Sequence, residues 1–268
     1  KNIFIKNYCK EPSLHIVFKN KNNLISFQEN IIQTSNISGF LTDKKKINEY
    51  SSFKKGDWWV QDFSSFLPIS GYSYKNTKEK FIDLCAAPGG KAFQVLSQKK
   101  DIILNDKSTK RIKILQSNLK RLRLKTKIMN IDALKINNDK KYDFIILDSP
   151  CSAVGTIRRN PEIFFKKKQP DFSNLLEIQE KLLLKASELI NEKGIILYMV
   201  CSFLKIETID QVNKFLKKNK EFYLNDFYFN NKVCNYDKFI KDKYMITLPT
   251  QVNGFNVDGY FAAYIRKK

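Results

Sequence analysis

The chain has 268 residues, of which 43% are hydrophobic and 13% aromatic, enough to fill the core of one large domain with a smaller lobe and to exclude wholesale disorder. Its 48 lysines and arginines against 27 aspartates and glutamates give a net charge of +21, which favours a polyanionic partner such as nucleic acid. No apolar run approaches the ~20 residues of a membrane span, and the first residues lack a signal-peptide pattern, so we expect a cytoplasmic protein without a membrane partner.

The positive charge comes almost entirely from lysine. Compositional bias in an AT-rich genome produces the same pattern, so charge alone is modest support for a nucleic-acid partner. Arginine suits phosphate better because its planar guanidinium group donates two hydrogen bonds at once. The adjacent Arg158 and Arg159 are therefore the candidate phosphate contacts.

Cysteine and histidine usage limits the possible chemistry. The five cysteines contain no C-x-x-C pair, and His15 is the single histidine, so we expect no metal site and no Ser-His-Asp or Cys-His catalysis. Wide spacing and an odd count also argue against a disulfide framework. We interpret His15, Cys9 and Cys234 as ordinary packing residues.

The chain divides into two predicted regions. Residues 1–50 mix short apolar runs with lysine and asparagine clusters, which indicates a small α+β lobe of short strands and one helix, with RNA binding as a possible role. We expect residues 51–268 to form the main domain. The chain begins with Lys1 rather than Met, so the loss of a preceding N-terminal domain is an open alternative.

Strand and helix patterns alternate through the main domain. Strands are predicted at 80–85, 101–106, 127–132, 142–148, 194–200 and 259–265. Helices are predicted at 91–98, after a Ser108 cap, at 174–191 with a stop at 192–194, and at 206–218. This alternation predicts a doubly wound, mostly parallel α/β sheet whose ligands lie beyond the carboxyl ends of the strands.

Acidic and small residues follow the first three of these strands. The small-residue loop at 86–91 lets a ligand approach the backbone at a helix N-terminus. Asp106 ends the second strand, where a carboxylate commonly holds a ribose diol, and Asp132 ends the third. Each signal is weak alone, but together they indicate a pocket for adenosine.

Two cysteines follow the next two strands. Asp148 and Cys151 come after the fourth strand, and Cys201 comes after the fifth. Because neighbouring strands lie ~4.8 Å apart, two thiols and a carboxylate could converge on one reacting group. Activated thiolates are strong nucleophiles, so this position favours a functional role over plain packing.

Motifs at these strand ends resemble those of one enzyme family. They comprise Asp83-Leu84 with Cys85, Ala86, Ala87, Pro88, Gly89, Gly90 and Lys91; then Asp148 to Ser152 with Arg158 to Glu162; then Cys201-Ser202 with Glu207. In this order, from about residue 56 to the end, they resemble the RsmB/Sun family of RNA cytosine-5 methyltransferases. Ser149 replaces the usual Ala, and Met199-Val200 the usual Ser-Thr, without removing a reacting atom.

The resemblance implies a Rossmann-like class I methyltransferase fold and S-adenosyl-L-methionine as cofactor. In that family the loop from Cys85 to Lys91 would cradle the methionine part. Asp106 would bind the ribose and Asp132 the adenine region, with Asp148 also at the cofactor.

The resemblance also implies a covalent mechanism. Cys201 would add to carbon 6 of cytosine, Asp148 would hydrogen-bond the ring, and Cys151 would assist resolution of the adduct. Lys91 would stabilise the Cys201 thiolate. Either Cys151 or a water would take the carbon 5 proton.

The resemblance leaves open which RNA is the substrate and which of three functions applies. The motifs favour ribosomal RNA, with transfer RNA second, and Arg158 and Arg159 would contact its phosphates. A cytosine-5 DNA methyltransferase would instead use Cys151 as nucleophile. A non-catalytic RNA-binding or ribosome-assembly factor is the other alternative, and a dehydrogenase is disfavoured by the glycine pattern.

Overall fold

The computed structural model describes residues 10–72, 79–164, 170–227, 229 and 235–268. The interpretation of Cys9 and Cys234 as packing residues lies outside the described residues, as does the start of the predicted lobe. None of the described helices is long and apolar enough to cross a membrane.

The N-terminal lobe is a four-stranded antiparallel sheet with a short helix. Its elements are β1 (His15–Phe18), α1 (Lys21–Ile25), β2 (Ile31–Ser35), β3 (Ser38–Leu41) and β4 (Trp58–Val60). The strand order is β2-β3-β1-β4, so β4 occupies the second edge of β1. The sheet of the lobe therefore runs past the predicted boundary at residue 50, because β4 pairs with β1.

The main domain is built on a nine-stranded sheet. Its strands are β5 (Phe81–Asp83), β6 (Ile102–Asn105), β7 (Ile128–Met129), β8 (Tyr142–Asp148), β9 (Ile190–Val200), β10 (Phe222–Leu224), β11 (Ile240–Lys241), β12 (Tyr244–Thr247) and β15 (Tyr260–Lys267). Strands β13 (Thr250–Val252) and β14 (Phe255–Val257) form a separate hairpin before β15. The parallel part has the order β7-β6-β5-β8-β9, and β15 pairs antiparallel with β9. The predicted doubly wound, mostly parallel sheet is confirmed.

Helices cover both faces of this sheet. They are α2 (Phe63–Ser70), α3 (Gly90–Ser97), α4 (Thr109–Leu122), α5 (Phe172–Leu189) and α6 (Ile209–Lys218). Side chains from α2, α3 and α4 pack in one apolar cluster, and those from α5 and α6 pack in another. The strand order reverses beside β5, which places a ligand crevice at its carboxyl end.

Helix α4 shows how the local sequence produces an element. The Ser108 hydroxyl accepts a hydrogen bond from the Arg111 amide and caps the helix, as predicted. Ile112, Leu115 and Leu119 then recur at helical spacing and are buried against the sheet.

The predicted stop at 192–194 is wrong. Helix α5 ends at Leu189, and β9 begins directly at Ile190. The first residues of β9, between Ile190 and Ile195, form an irregularity in the pairing with β8, and Lys193 there has a φ of 60°. A bulge can absorb extra polar residues without ending a strand, which a turn-forming sequence does not reveal.

Candidate active site

The carboxyl ends of strands β5 to β9 bring six of the predicted site residues together. They line one cavity, which we call the acidic cavity: Cys85, Asp106, Asp132, Asp148, Cys151 and Cys201. The volume of this cavity is about 410 Å³. That volume is in the range of pockets that hold a nucleotide-sized ligand.

The loop between β5 and α3 is fixed to the neighbouring strand. The Ala86 amide donates to the Asn105 carbonyl at 2.8 Å, and the Ala87 amide donates to the Asp106 carboxylate at 3.2 Å. Gly89 has a φ of +115°, and a Cβ there would lie 2.1 Å from the Phe93 ring. Only glycine fits this close approach, which starts α3 beside the cavity.

Two carboxylates of the acidic cavity already form an ion pair or a hydrogen bond with other groups of the protein. The Asp106 carboxylate forms an ion pair with Arg111 at 3.2 Å, and Arg111 also donates to the Ala87 carbonyl. Asp132 caps a short turn by accepting from the Leu134 amide at 3.0 Å. Arg111 was not predicted as a site residue.

Ser149 contributes a buried hydroxyl to the same cavity. Its Oγ has no hydrogen-bond partner in the part of the chain that the structure describes. A buried unpaired hydroxyl is costly, so this atom favours a polar ligand in the acidic cavity.

The two thiols lie in hydrogen-bond contact. Cys151 Sγ and Cys201 Sγ are 3.4 Å apart, and both residues are half-buried. The hydrogen bond to Cys201, followed by burial, raises the pKa of the Cys151 thiol well above its ordinary value. At neutral pH Cys151 is therefore a neutral thiol that can donate to Cys201.

Asp148 lies beside these thiols and is held from both sides. Lys91 Nζ approaches its Oδ2 at 2.7 Å, and the Tyr260 hydroxyl donates to its Oδ1 at 2.6 Å. Burial lowers the pKa of Lys91, but the charge and hydrogen bond of Asp148 outweigh it and raise the pKa overall. Lys91 is thus a fixed cation, and Tyr260 is a site residue that was predicted only as part of the last strand.

A second cavity, also lined by Cys201, opens between the lobe and the main domain. It has a volume of about 400 Å³ and is lined in part by Trp59, Asp62, Lys91, Arg159 and Tyr260; we call it the lobe cavity. Asp148 and Cys201 line both cavities.

The two predicted phosphate contacts differ in position. Arg158 is 7% exposed and donates to the Thr250 and Val257 carbonyls at 2.9 and 2.6 Å. Its guanidinium group therefore stabilises the β13–β14 hairpin. Arg159 lines the lobe cavity and forms an ion pair with Asp258. The geometry thus leaves Arg159 as the better candidate for an RNA contact.

Asp83 is a buried carboxyl group that was not predicted as a site residue. Its Oδ1 accepts from the Cys85 amide at 3.1 Å, while Oδ2 has no hydrogen-bond partner among the described residues. Burial raises its pKa to about 7, against the opposing charge of Lys91. Burial likewise raises the pKa of the Cys85 thiol, which suits a role through its backbone rather than its sulfur.

His15 is a buried packing residue on a strand, as predicted. It is 1% exposed on β1, with ring nitrogens 2.8 Å from the Gln61 carbonyl and 2.8 Å from the Thr34 hydroxyl. Burial lowers its pKa to about 4. The described residues contain no cluster of three or more His, Cys, Asp or Glu side chains arranged to hold a metal ion.

Comparison with known proteins relates this site to a family. A family model described as 16S rRNA methyltransferase RsmB/F matches residues 74–266. Ribosomal RNA small subunit methyltransferase B from Photorhabdus laumondii is 33% identical over 180 residues, covering 63% of this chain and 40% of that protein. The protein of the same name from Shewanella oneidensis is 38% identical over 148 residues, covering 53% of this chain and 35% of that protein. The matches thus span less than half of the length of these curated relatives.

Solved structures share the fold at low sequence identity. The structure described as NSun6 from Pyrococcus horikoshii with SFG has a TM-score of 0.80 and 18% identity, covering 99% of this chain and 94% of that chain. A structure described as a methyltransferase homolog protein from Pyrococcus horikoshii has a TM-score of 0.75 and 21% identity, covering 98% and 89%. The fold is therefore that of a Rossmann-like class I methyltransferase. Since the family model matches most of its residues, the chain belongs to the RsmB/F family of 16S rRNA methyltransferases.

Proposed function

We propose that this chain transfers a methyl group from S-adenosylmethionine to carbon 5 of a cytosine in ribosomal RNA, with Cys201 as the nucleophile. One observation carries the proposal: Cys201 and Asp148 line both cavities, and the Cys151 thiol is 3.4 Å from the Cys201 sulfur. A methyl donor in one cavity and a cytosine in the other would then both lie beside Cys201. The names of the curated relatives support ribosomal RNA as substrate.

The residues of the acidic cavity fit S-adenosylmethionine. Asp106 and Asp132 offer carboxylates of the kind that bind ribose hydroxyls and the adenine region, and Ser149 offers an unpaired hydroxyl. The resemblance in fold to a structure containing SFG, an analogue of this donor, supports the same assignment. When bound, S-adenosylmethionine supplies an electrophilic methyl group on a sulfonium.

In the proposed mechanism, Cys201 acts as a thiolate. Carbon 5 of cytosine is a poor nucleophile, and addition of the Cys201 sulfur to carbon 6 makes it electron-rich. Lys91 is a fixed cation that lines the lobe cavity together with Cys201, so its charge can offset the negative charge of the attacking sulfur. The target base cannot react while stacked, so it must enter the lobe cavity from single-stranded or extruded RNA.

Asp148 and Cys151 have separate roles in this proposal. Asp148 hydrogen-bonds the ring at its N3/N4 edge, in an orientation fixed by Lys91 and Tyr260. Cys151, held as a neutral thiol next to Cys201, assists release of the adduct after methyl transfer. Because Cys151 is held protonated, it cannot take up the carbon 5 proton, which leaves to a water. Arg159, at the lobe cavity, contacts an RNA phosphate.

Two cysteine variants test the order of the thiols. We expect Cys201→Ala to abolish methyl transfer and the covalent adduct, because no sulfur remains to add to carbon 6. We expect Cys151→Ala to accumulate a covalent RNA adduct, seen as a slowly migrating band on a denaturing gel. The assay uses labelled S-adenosylmethionine and unmodified small-subunit ribosomal RNA.

Either of two results would contradict the assignment. Near wild-type turnover by Cys201→Ala would remove it as nucleophile. An adduct in Cys201→Ala that is absent in Cys151→Ala would reverse the roles, as in the DNA-methyltransferase alternative. Calorimetry provides the cofactor test, since absence of S-adenosylmethionine binding would instead support a non-catalytic assembly factor.

A further inference from the structure

Glu207 is a carboxylate buried behind the two thiols. It is 0% exposed and ends a single 3-10 turn, Lys205–Glu207, that follows β9. No lysine, arginine or histidine in the described ranges forms an ion pair with it. A buried charge without a cation is costly and persists only where hydrogen bonds compensate it.

Four hydrogen bonds supply that compensation. Oε1 accepts from the Ser152 amide at 2.8 Å and from Gln179 Nε2 at 3.2 Å. Oε2 accepts from the Ser152 hydroxyl at 2.5 Å and from the Ser202 hydroxyl at 2.7 Å. Hydrogen bonds to an ionised acceptor are about twice as strong as neutral ones, and a low local dielectric strengthens them further.

These bonds join the two loops that carry the thiols. Ser152 directly follows Cys151, and Ser202 directly follows Cys201. One carboxylate therefore connects the segment after β8 to the segment after β9. The 3.4 Å distance between the two sulfurs is set by where these segments lie.

The carboxylate is itself anchored by surrounding elements. Gln179 on α5 also donates to the Pro150 carbonyl at 3.0 Å, and Gln211 on α6 donates to Gln179 at 3.2 Å. The Tyr198 hydroxyl donates to the Glu207 carbonyl at 2.8 Å. The network thus transmits the rigidity of two helices and a strand to the thiols.

We propose that Glu207 is a positioning residue that holds Cys151 and Cys201 in contact by clamping the two loops; its role in catalysis rests on the proposed function. It acts through its hydrogen bonds to Ser152 and Ser202, which follow the two cysteines in sequence. Its charge also adds to the hydrogen bond that Cys151 donates to Cys201, and to burial, in raising the pKa of Cys151, which keeps that thiol protonated. A neutral amide at this position cannot accept all four bonds.

The first test measures thiol geometry without RNA or cofactor. Diamide takes two electrons and two protons from a pair of thiols and leaves a disulfide, so the rate of Cys151–Cys201 disulfide formation reports their contact. We expect Glu207→Gln to lower that rate about 10-fold or more, because a shift of ~1 Å strongly penalises an aligned reaction. Mapping of the disulfide by mass spectrometry identifies the bond.

Glu180→Gln is the matched control. Glu180 lies on α5 next to Gln179, is more exposed, and pairs with Lys214 and Lys218. Its loss removes a carboxylate from the same region without touching the clamp. We expect its disulfide rate to equal that of the wild type, and an equal fall in both variants would overturn the proposal.

The second test measures methyl transfer. We expect Glu207→Gln to lower kcat by about 10- to 100-fold while KM for S-adenosylmethionine changes less than about 2-fold, as for residues that orient reacting groups. Ser202→Ala removes one of the four bonds, and we expect a smaller change in the same direction. If Glu207→Gln fails to fold by circular dichroism, Ser202→Ala decides the question.

The outcomes separate this proposal from the proposed function. A folded Glu207→Gln with the wild-type disulfide rate and kcat overturns the clamp, as does an unaffected Ser202→Ala where Glu207→Gln is unfolded. A wild-type chain that binds RNA but transfers no methyl group overturns the proposed function, while the disulfide rate still tests Glu207.

Discussion

Asp83 shows how burial changes the behaviour of a single carboxyl group. It is 1% exposed, and its pKa rises from 3.8 to about 7. Between those pH values the folded protein holds a proton that the unfolded chain releases. Stability therefore falls as pH rises through this window, and the cost is complete above pH 7.

We expect Asp83→Asn to be stabilised relative to the wild type as pH rises. The difference in free energy of unfolding should grow from about pH 4 to pH 7 and then level off, reaching a value on the order of 1–4 kcal/mol. An amide removes the buried charge and can still accept from the Cys85 amide. Urea unfolding at a series of pH values measures the difference.

Asp226→Asn is the control for this series. The Asp226 side chain is 74% exposed and pairs with Lys243. If the curves of Asp83→Asn and the wild type ran parallel across the window, the burial of an uncompensated carboxyl would be contradicted.

At the residue scale, the sequence indicates which side chains reach the site but not their partners. Asp148 and Lys91 were predicted from motifs, whereas Tyr260 comes from β15, over a hundred positions later. Arg158 and Arg159 are adjacent in sequence, yet one is buried against carbonyl groups and the other lines a cavity. Burial depends on what packs over a side chain, and no local pattern records it.

At the element scale, the turn after β8 depends on a close backbone approach. Gly155 lies in the single 3-10 turn Val154–Thr156; its amide donates to the Cys201 carbonyl at 3.0 Å, and its carbonyl accepts from Gly259 at 2.9 Å. A Cβ at this position would lie 1.9 Å from the Gly259 carbonyl oxygen. The turn therefore connects the loop that carries Cys201 to the start of β15.

We expect Gly155→Ala to displace these backbones, to destabilise the protein by about 2–4 kcal/mol, and to lower methyl transfer sharply. Thermal unfolding and the methyl-transfer assay measure the two effects. Contact with backbone atoms leaves no flexible side chain that could move aside.

Gly254→Ala is the matched control, since φ is +82° there and a Cβ would meet nothing within 4 Å. It should cost only the ~1–2 kcal/mol of a left-handed alanine. The close-approach argument fails if Gly155→Ala is as stable and as active as this control.

Elements with long apolar periodicity were predicted well, whereas helix α2 and most short strands outside the parallel part of the sheet were not. Strand β8 and helix α4 appear where their patterns indicated, because seven or more residues of apolar periodicity leave little ambiguity. Strand β7 shortens to two residues, and strands β10 to β14 were not predicted. Their few residues become strands only through pairing with distant partners, such as β12 with β15.

At the scale of the whole molecule, the lobe and the main domain share one core. Val17 and Phe40 of the lobe pack in the same apolar cluster as Phe63 and Phe66 of α2. Arg121 of α4 also stacks on the Phe53 ring, 4.2 Å from its centroid, and donates to two carbonyls of the lobe. Separating the two parts would expose this apolar surface.

We therefore expect a single unfolding transition. The two tryptophans, Trp58 and Trp59, both lie on β4, so their fluorescence reports the lobe, whereas far-UV circular dichroism reports mainly the larger domain. Coincident midpoints by both probes in a thermal or urea experiment would confirm one cooperative unit. An earlier fluorescence transition would contradict the shared core.

The alternation of strands and helices, the loop at 85–91, and the acids and thiols at strand ends could be predicted from the amino-acid sequence, because they follow from periodicity and from motifs that are local in the chain. Three contacts become visible only in the folded chain: Cys151 touches Cys201, Tyr260 holds Asp148, and Glu207 joins the two thiol loops. The reason is physical: such contacts depend on strand order and register, which are set by the burial of the whole sheet rather than by any segment of it.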